Sequence, residues 1–578
     1  MEAKELDLPG APSPDVPRPQ GAGPRHILTV AIEDYFHLGA FNRLIQRGQW
    51  SRFERRVEHG TRHTLELLDR HGARATFFVL GWIAEQMPEL VREVADRGHE
   101  IASKGFYHRR ISSLSPNEFA EDLDRAREAI EAAAGCRIHG FRVADGWFGP
   151  HDLWALDVLA RSGFRYDSSL APLGRQFAAE PWRRFAHEHL TSAGTIHEFP
   201  ISTATPLGFA VPVGGGNYLR QLPEGLVDRA LSRWTRQSAA PLVMYFHTWE
   251  LDPAIPRISA APWHQRLRTY RNLDRMADRL GRYLTRYQFT SIGDWMGLSS
   301  QPAAAPARPK APSRGHLALV TEEAPATPPV APRPLVPVTI AVPCYNEKVV
   351  LPYLATNLQA VRRRLEDRYE LSFAFIDDGS SDGTWESLER IFGSWPRTTL
   401  VRHHVNRGLS AGIRTALETA GTEIVCTIDC DCSYNPLELE QMIPLLEDGV
   451  DLVTASPYHP RGSVRNVSPW RLALSRTASL TYRAVLGQPI NTFTSCFRVY
   501  RRSRSLAVPQ KYQGYLGISE LLGRVALAGG QIREHPATLE IRLMGVSKMK
   551  VVRNTLGHLR LLSEFALLRL FRRGASTS

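Results

Sequence analysis

The chain has 578 residues, 43% hydrophobic and 22% charged, which is ordinary for soluble protein and too long for one hydrophobic core, so two or more domains are expected. The formal net charge of +12 favours anionic partners such as nucleotides, phospholipid head groups or polyprenyl phosphates, and no nucleic-acid recognition motif accompanies it. Six scattered cysteines form no disulfide framework and point to a reducing compartment. No run reaches about 18 apolar residues and the N-terminus lacks an apolar signal region, so neither a transmembrane helix nor secretion is expected.

Residues 1–25, rich in proline and opening with acids, are expected to be a disordered tail. Residues 26–298 form a globular block, in which HILTVAIEDYF, ATFFVLG and HEIAS have the composition of strands. PELVREVADRG and PNEFAEDLDRAREAIEAAAG have the spacing of helices, each stopped at glycine. Residues 299–337 are expected to be an extended linker, since 301–337 contains ten prolines and cannot bury enough surface to fold. A second domain follows over 338–550, where PVTIAVPCY, LSFAFIDDG, EIVCTIDCD and DLVTASPY alternate with helical stretches. Alternating strands and helices predict α/β architecture with mostly parallel sheets and ligands at the carboxyl ends of strands.

Four segments of the second domain place polar residues directly after apolar runs. VTIAVPCYNE delivers Pro343, Tyr345 and Glu347. FIDDGSSDGT delivers Asp377 and Asp378, whose carboxylates suit hydrogen bonds to a nucleobase or ribose. RHHVNRGLSAGIRTAL supplies small residues for close approach to a ligand. TIDCDCSYNP sets Asp429 and Asp431 on either side of Cys430. Paired carboxylates at a strand end hold a hard divalent cation that bridges diphosphate oxygens and stabilises the leaving group, so Mg2+ or Mn2+ is the expected cofactor. Cys430 and Cys432 raise a metal–thiolate alternative, against which stands the lack of a second Cys/His pair at finger-like spacing.

Through these motifs, residues 338–550 resemble a family 2 glycosyltransferase of the GT-A fold, within the dolichol-phosphate mannose synthase and polyprenyl-phosphate glycosyltransferase branch. The similarity extends through DLVTASPYHPRG, WRLALSR, TSCFRVYRR and ISELLGRVALAGGQIREHPATLEIRLMGVSK. It implies a Rossmann-like, mostly parallel sheet and a nucleoside-diphosphate sugar donor. Pro343, Tyr345, Glu347 and one of Asp377 and Asp378 would hold the nucleotide, and Asp429 and Asp431 would serve metal and donor. Arg471, Ser475, Arg542 and Lys548 would contact phosphates of donor or acceptor, Arg471 and Ser475 lying one helical turn apart. The implied acceptor is a polyprenyl phosphate or another lipid or glycan. Two departures bear on it: Pro457 stands where the branch has arginine, and Ser433 where some members supply an amide. Residues 551–578 form a basic amphipathic stretch, with Leu556, Leu559, Leu562, Ala566 and Leu570 near helical spacing. Such a helix lies on a membrane or packs on its own domain.

Residues 26–298 resemble the polysaccharide deacetylase (NodB-like) family through LTVAIEDYF, ATFFVLGWIAEQMPELVREVADRGHEIAS, KGFYHRR, GFRVADGW, WALDVLARSGFRYDSS and YFHTWELDP. The resemblance implies an irregular or incomplete (β/α) barrel with a divalent metal, a carboxylate base and a histidine acid. The signature is degenerate. The base position is Ala31, beside Glu33 and Asp34, and Lys104 replaces a metal-ligand histidine. His108 and His247 remain, and Arg142-Val143-Ala144 departs from the family's R-A-P. Lys104 is expected near Glu33 as a substitute cation, because an unpaired buried carboxylate is costly, and no metal is expected there. The competing expectation is an active hydrolase using Asp34 or Asp145 as base. Tyr35, Trp147, Trp249 and GGGNYLR (214–220) suit either carbohydrate contact or a plain barrel core. The chain is thus expected to be a membrane-associated glycosyltransferase, peripheral on the inner, cytoplasmic face of the cell membrane, with a degenerate deacetylase domain. The alternatives are a bifunctional transferase–deacetylase and a non-catalytic carbohydrate-binding assembly protein.

Overall fold

A computed structural model of the chain describes residues 26–174, 176–204, 210–238, 240–298, 334–545 and 551–575. The expected tail, nearly all of the expected linker and Lys548 lie outside the described residues. The chain divides into two compact units, and the division does not follow the sequence in one cut. Leu44–Glu54 and Pro256–Pro262 belong to the second unit together with the C-terminal half, while Arg55–Ile255 belongs to the first.

The first unit is built on β1 (His26–Ile32), β2 (Thr76–Val79), β3 (Glu100–Ser103), β4 (Gly140–Phe141), β5 (Tyr166–Asp167), β6 (His187–Thr191), β7 (Gly194–Glu198), β10 (Val243–His247) and β11 (Phe289–Thr290), with a separate ribbon of β8 (Thr203–Ala204) and β9 (Val211–Pro212). The strand order is β10-β1-β2-β3-β4-β5-β7-β6, with β11 beside β1, so the sheet follows a barrel path without closing. Within this sheet all pairings are parallel except β6 with β7, and the β8–β9 ribbon is antiparallel. All seven residues of β1 are buried, as a central parallel strand covered on both faces requires. The helix Pro116–Ala134 starts at a Ser115–Glu118 capping box and stops at left-handed Gly135, which satisfies its end groups locally.

The second unit contains β12 (Val336–Cys344), β13 (Tyr369–Asp377), β14 (Thr398–Arg402), β15 (Ile424–Thr427), β16 (Val450–Ser456), β18 (Arg498–Arg501) and β19 (Gln531–Pro536), ordered β14-β13-β12-β15-β18-β16-β19. Only β18 runs antiparallel to its neighbours β15 and β16. β17 (Ser463–Arg465) and β20 (Thr538–Glu540) pair separately. The chain winds outward from β12 through β13 to β14 and then returns to β15 on the other side of β12. That reversal is the switch point at which an open parallel sheet leaves a crevice at its carboxyl edge.

The last helix, Val551–Ala575, divides its apolar stripe. Leu561, Leu562 and Phe565 are buried, Tyr482 donates to or accepts from His558 Nδ1 at 2.8 Å, and Arg569 holds the Val485 carbonyl at 2.7 Å, so it packs on the helix Pro469–Leu486. Leu556, Leu559, Leu567, Leu568 and Leu570 remain exposed. No helix among the described residues is long and apolar enough to cross a membrane.

Candidate functional site

The switch point collects the polar motifs of the second unit. β12 ends at Cys344, in register with Asp377 at the end of β13, and the Asp378 N–H donates to the Cys344 carbonyl at 2.8 Å. Asp429 follows β15 by two residues, and the Ile428 N–H holds that segment to the Ala341 carbonyl of β12 at 3.1 Å. Pro343 is buried inside β12, and Tyr345 and Glu347 are half-buried beyond its end. Asn346 between them takes a left-handed backbone, φ 52°, and is fixed by its N–H on Ser380 Oγ and its Oδ1 under the Ser381 N–H, both 2.8 Å.

The two adjacent aspartates of the second motif have different surroundings. Asp378 accepts from the Arg407 and Gly408 N–H groups at 2.9 and 2.7 Å and from Asn406 Nδ2 at 2.9 Å, with His403 Nδ1 at 2.7 Å. It organises the 403–408 turn and its oxygens are fully engaged. Among the described residues, Asp377 Oδ1 receives the Ser380 N–H at 3.2 Å, and its buried Oδ2 accepts no hydrogen bond, with Arg402 Nε at 3.4 Å. Of the two, Asp377 retains an acceptor.

Asp431 Oδ1 accepts from the Ser433 N–H and hydroxyl at 2.9 and 2.5 Å, so Ser433 braces the carboxylate. Arg542 bridges two motifs: Nη2 pairs with Glu347 Oε2 and Nε lies 3.5 Å from Asp431 Oδ2. Burial, and then the charge of Asp431, push the Asp429 carboxyl up to about 7. Cys344 and Cys430 thiols approach to 3.7 Å; that hydrogen bond and burial hold the Cys430 thiol well above the ordinary range, and burial does the same for Cys432. Among the described residues no group of three or more His, Cys, Asp or Glu side chains forms a ready metal cage. The available donors are the two hard carboxylates of Asp429 and Asp431. Arg471 and Ser475 share the helix Pro469–Leu486, where exposed Arg471 lies 5.4 Å over the Trp470 ring and Ser475 hydrogen-bonds Thr494 Oγ1 at 3.0 Å. Neither has a described contact with the aspartates.

In the first unit, Ala31 is buried opposite His247 in the β1–β10 register. The Lys104 ammonium rests on Glu33 Oε1, with His108 Nε2 at 3.2 Å from the same oxygen and His247 Nε2 at 3.9 Å from Oε2. Burial alone would raise Glu33, but Lys104, His108 and His247 outweigh it and hold the carboxyl well below its usual range. Burial pulls Lys104 down while Glu33 opposes the shift. Three basic neighbours on one carboxylate favour its ionised form. Asp34 accepts backbone N–H bonds from Tyr35, Arg56 and Val57 at 2.9, 2.7 and 3.0 Å, which makes it a local brace. Asp145 faces Asn42 Nδ2 at 3.0 Å and Arg110 Nε at 3.5 Å. Arg142 is buried, donating to Thr29 Oγ1, the Ser168 carbonyl and Ser168 Oγ. Tyr35 and Trp249 are core residues and Trp147 is half-buried; Gly215 and Gly216 give room to the Tyr245 ring and the Glu250 carboxylate.

A family model described as glycosyl transferase family 2 matches residues 339–505, and one described as polysaccharide deacetylase matches 49–166. A domain of unknown function (DUF3473) matches 168–297. The polyprenol monophosphomannose synthase of Mycolicibacterium smegmatis is 32% identical over 231 residues, spanning 38% of this chain and 84% of that protein. The chain joins a polysaccharide deacetylase domain to a family 2 glycosyl transferase. An undecaprenyl-phosphate 4-deoxy-4-formamido-L-arabinose transferase of Pseudomonas syringae is 30% identical over 177 residues, covering 30% of this chain and about half, 49%, of that protein. Among solved structures, a putative polysaccharide deacetylase from Mycobacterium smegmatis aligns with 49% of this chain and 93% of its own, at 17% identity and a TM-score of 0.34.

Several residues that shape the transferase site carry no sequence signal. Glu540, in β20, donates its N–H to the Ser433 carbonyl at 2.9 Å beside the aspartate turn. His403 looks like an ordinary loop residue until its contact with Asp378 is seen. Arg52 and Ser259 lie in chain that the deacetylase resemblance covers, yet both belong to the transferase unit.

Proposed function

We propose that the transferase unit moves a sugar from a nucleoside-diphosphate sugar to a polyprenyl phosphate. The observation that carries this reading is the convergence of Glu347, Asp431 and Arg542 at the carboxyl ends of β12 and β15. The relatives whose names specify polyprenol and undecaprenyl phosphate supply the acceptor class. Asp429 and Asp431 fit Mg2+ or Mn2+, because both are hard oxygen donors and a cation offsets the burial and the Asp431 charge that raise Asp429. A bound divalent ion there would stabilise the charge of the departing diphosphate. Asp377 offers Oδ2 to the nucleobase, and Arg542 fixes Glu347 and Asp431 in orientation. An acceptor phosphate oxygen forms its bond to the anomeric carbon as the bond from that carbon to the donor diphosphate breaks, inverting the centre. The acceptor is already an anion near neutral pH, so positioning replaces a strong general base.

Transfer from a panel of nucleotide sugars to polyprenyl phosphate, wild type against Asp431→Ala, tests the reading. A loss of about 100-fold or more in kcat is expected in the variant. Absence of transfer to any lipid phosphate with Mg2+ or Mn2+, or full activity in Asp431→Ala, overturns it.

The same reading places the chain at the inner face of the membrane. Exposed Trp470 and Leu480 on one helix and Leu556, Leu559 and Leu570 on its neighbour lie among arginines, a combination suited to an anionic lipid surface. Replacing Leu556, Leu559 and Leu570 with serine is expected to weaken sedimentation with anionic vesicles; unchanged binding refutes this part.

The deacetylase unit is read as non-hydrolytic. Ala31 cannot take a proton and an ammonium cannot ligate a metal, so its residues do not fit the metal that the family resemblance implies. Stoichiometric zinc together with turnover of an acetyl- or formyl-sugar would sink this reading.

A further inference from the structure

Two short stretches from the N-terminal half of the chain belong to the transferase unit, and both end on the segment that carries Arg542. In the first, Leu44–Glu54, Arg52 is buried. Its Nη2 donates to the Cys432 carbonyl at 2.9 Å, Nη1 to Glu540 Oε2 at 2.9 Å and Nε to Asn357 Oδ1 at 3.0 Å. Gln49 Nε2 donates to both Glu540 oxygens at 2.7 and 2.8 Å. In the second, Pro256–Pro262, Ser259 Oγ lies 2.6 Å from the Gly545 carbonyl and 3.3 Å from that of Leu543, which also accepts the Ala260 N–H at 3.2 Å.

These contacts bracket the reacting groups. Cys432 directly follows Asp431, has a left-handed backbone with φ 51° and closes the aspartate turn by donating its N–H to the Asp429 carbonyl at 3.0 Å. A non-glycine residue holds that conformation only where its surroundings over-determine it, and the Arg52 guanidinium on its carbonyl is such a constraint. Glu540 precedes Arg542 by two residues and is tied to the turn through the Ser433 carbonyl, while Leu543 and Gly545 follow Arg542. Arg542 itself donates to the Met544 carbonyl at 2.8 Å, so its own segment sets its reach toward Asp431 and Glu347.

We infer that Arg52, Gln49 and Ser259 are positioning residues of the transferase site: they clamp the 540–545 segment on both sides of Arg542 and lock the turn after Asp431. This rests on the transferase reading above and gives a role to chain from the half with the degenerate deacetylase motif. That half supplies parts of the transferase without supplying deacetylase chemistry.

The test uses the full chain. Arg52→Lys keeps the charge but cannot span three acceptors, and Ser259→Ala removes one hydroxyl. Arg501→Lys is the control, because Arg501 likewise holds carbonyls, those of Val450 and Glu447, but pairs with Ile424 at the amino end of β15, away from Asp429. Arg52→Lys is expected to lower kcat on the order of tenfold and to weaken Mn2+-dependent binding of GDP and UDP several-fold, with Ser259→Ala smaller in both. Arg501→Lys is expected to change melting only. Wild-type kcat and KM in Arg52→Lys and Ser259→Ala, or equal losses in Arg501→Lys, overturn the inference while leaving the transferase reading intact. Should the wild type transfer nothing, that reading falls, and Mn2+–nucleotide binding alone decides: a loss confined to Arg52→Lys and Ser259→Ala supports the clamp, and unchanged binding overturns it.

Discussion

Lys104→Met isolates the energetics of the degenerate site. Lys104 and Glu33 side chains are each 3% exposed, so the variant leaves a carboxylate with no ammonium and almost no water. Removing one partner of a buried ion pair costs about 3–5 kcal/mol. His108 at 3.2 Å and His247 at 3.9 Å stay to compensate Glu33, which places the loss at the lower end. For a unit of this size, about 3 kcal/mol lowers the melting temperature by roughly 6–12 °C. The double variant Glu33→Gln, Lys104→Met removes both charges and is expected to lie closer to wild type than Lys104→Met alone, a coupling of about 1–3 kcal/mol.

Calorimetry of the full chain, following the transition of the first unit, measures both quantities, and pH gives an independent sign. In the wild type Glu33 titrates well below its unfolded value, so the pair's stabilisation is present above the ordinary carboxylate range and fades on acidification. In Lys104→Met burial is less opposed, the Glu33 value rises, and the penalty disappears as the carboxyl protonates. The gap between the two proteins is therefore expected to narrow from pH 8 to pH 5. A variant as stable as wild type, or a gap independent of pH, refutes the substitute-cation argument.

The other predictions concern the transferase unit. Asp429 is raised to about 7, and a divalent ion binds its ionised form, so Mn2+ affinity is expected to rise about tenfold per pH unit below 7 and to level off above. Titration in buffers of different ionisation enthalpy should detect the released proton, and Asp431→Asn should move the break to lower pH; a flat profile contradicts the shared-charge account. The metal-free unit should also lose some stability as pH rises toward 7, because a raised carboxyl favours the protonated folded state. Asp378→Asn replaces an acceptor of three N–H donors and His403, and is expected to cost about 2–4 kcal/mol of stability. Asp377→Asn should keep the melting temperature and raise the donor KM by roughly tenfold, and equal destabilisation by both would show that the two are not distinguished as described.

The framework was legible because buried parallel strands leave an unmistakable trace. β12, β13 and β15 are apolar runs that stop where a polar motif begins, and the rule about carboxyl strand ends then places Glu347, Asp377 and Asp431 together without coordinates. The clamp on Arg542 was not legible for an equally physical reason. Arg52 and Glu540 are 488 positions apart, and an arginine in a polar loop has no periodicity or spacing that names its acceptor. Amphipathicity likewise located the last helix without separating Leu562, which is buried, from Leu559, which is 61% exposed.

Charged residues within the motifs that carry the family resemblance divide by what their hydrogen-bonding capacity already serves. Arg498 donates to the Ile518 and Phe493 carbonyls, Glu520 accepts the Lys511 and Tyr512 N–H groups and pairs with Arg524, and Glu534 holds Asn491 and Thr492. Their partners lie inside the unit, so substitutions there should act through folding. Asp377 Oδ2, the Asp429 and Asp431 carboxylates and the Arg542 guanidinium stand at strand ends with capacity left for a partner. A group that binds substrate or metal must bring unsatisfied donors or acceptors to the crevice. By that criterion Asp377 ranks above Asp378, which motif matching alone treats as its equal.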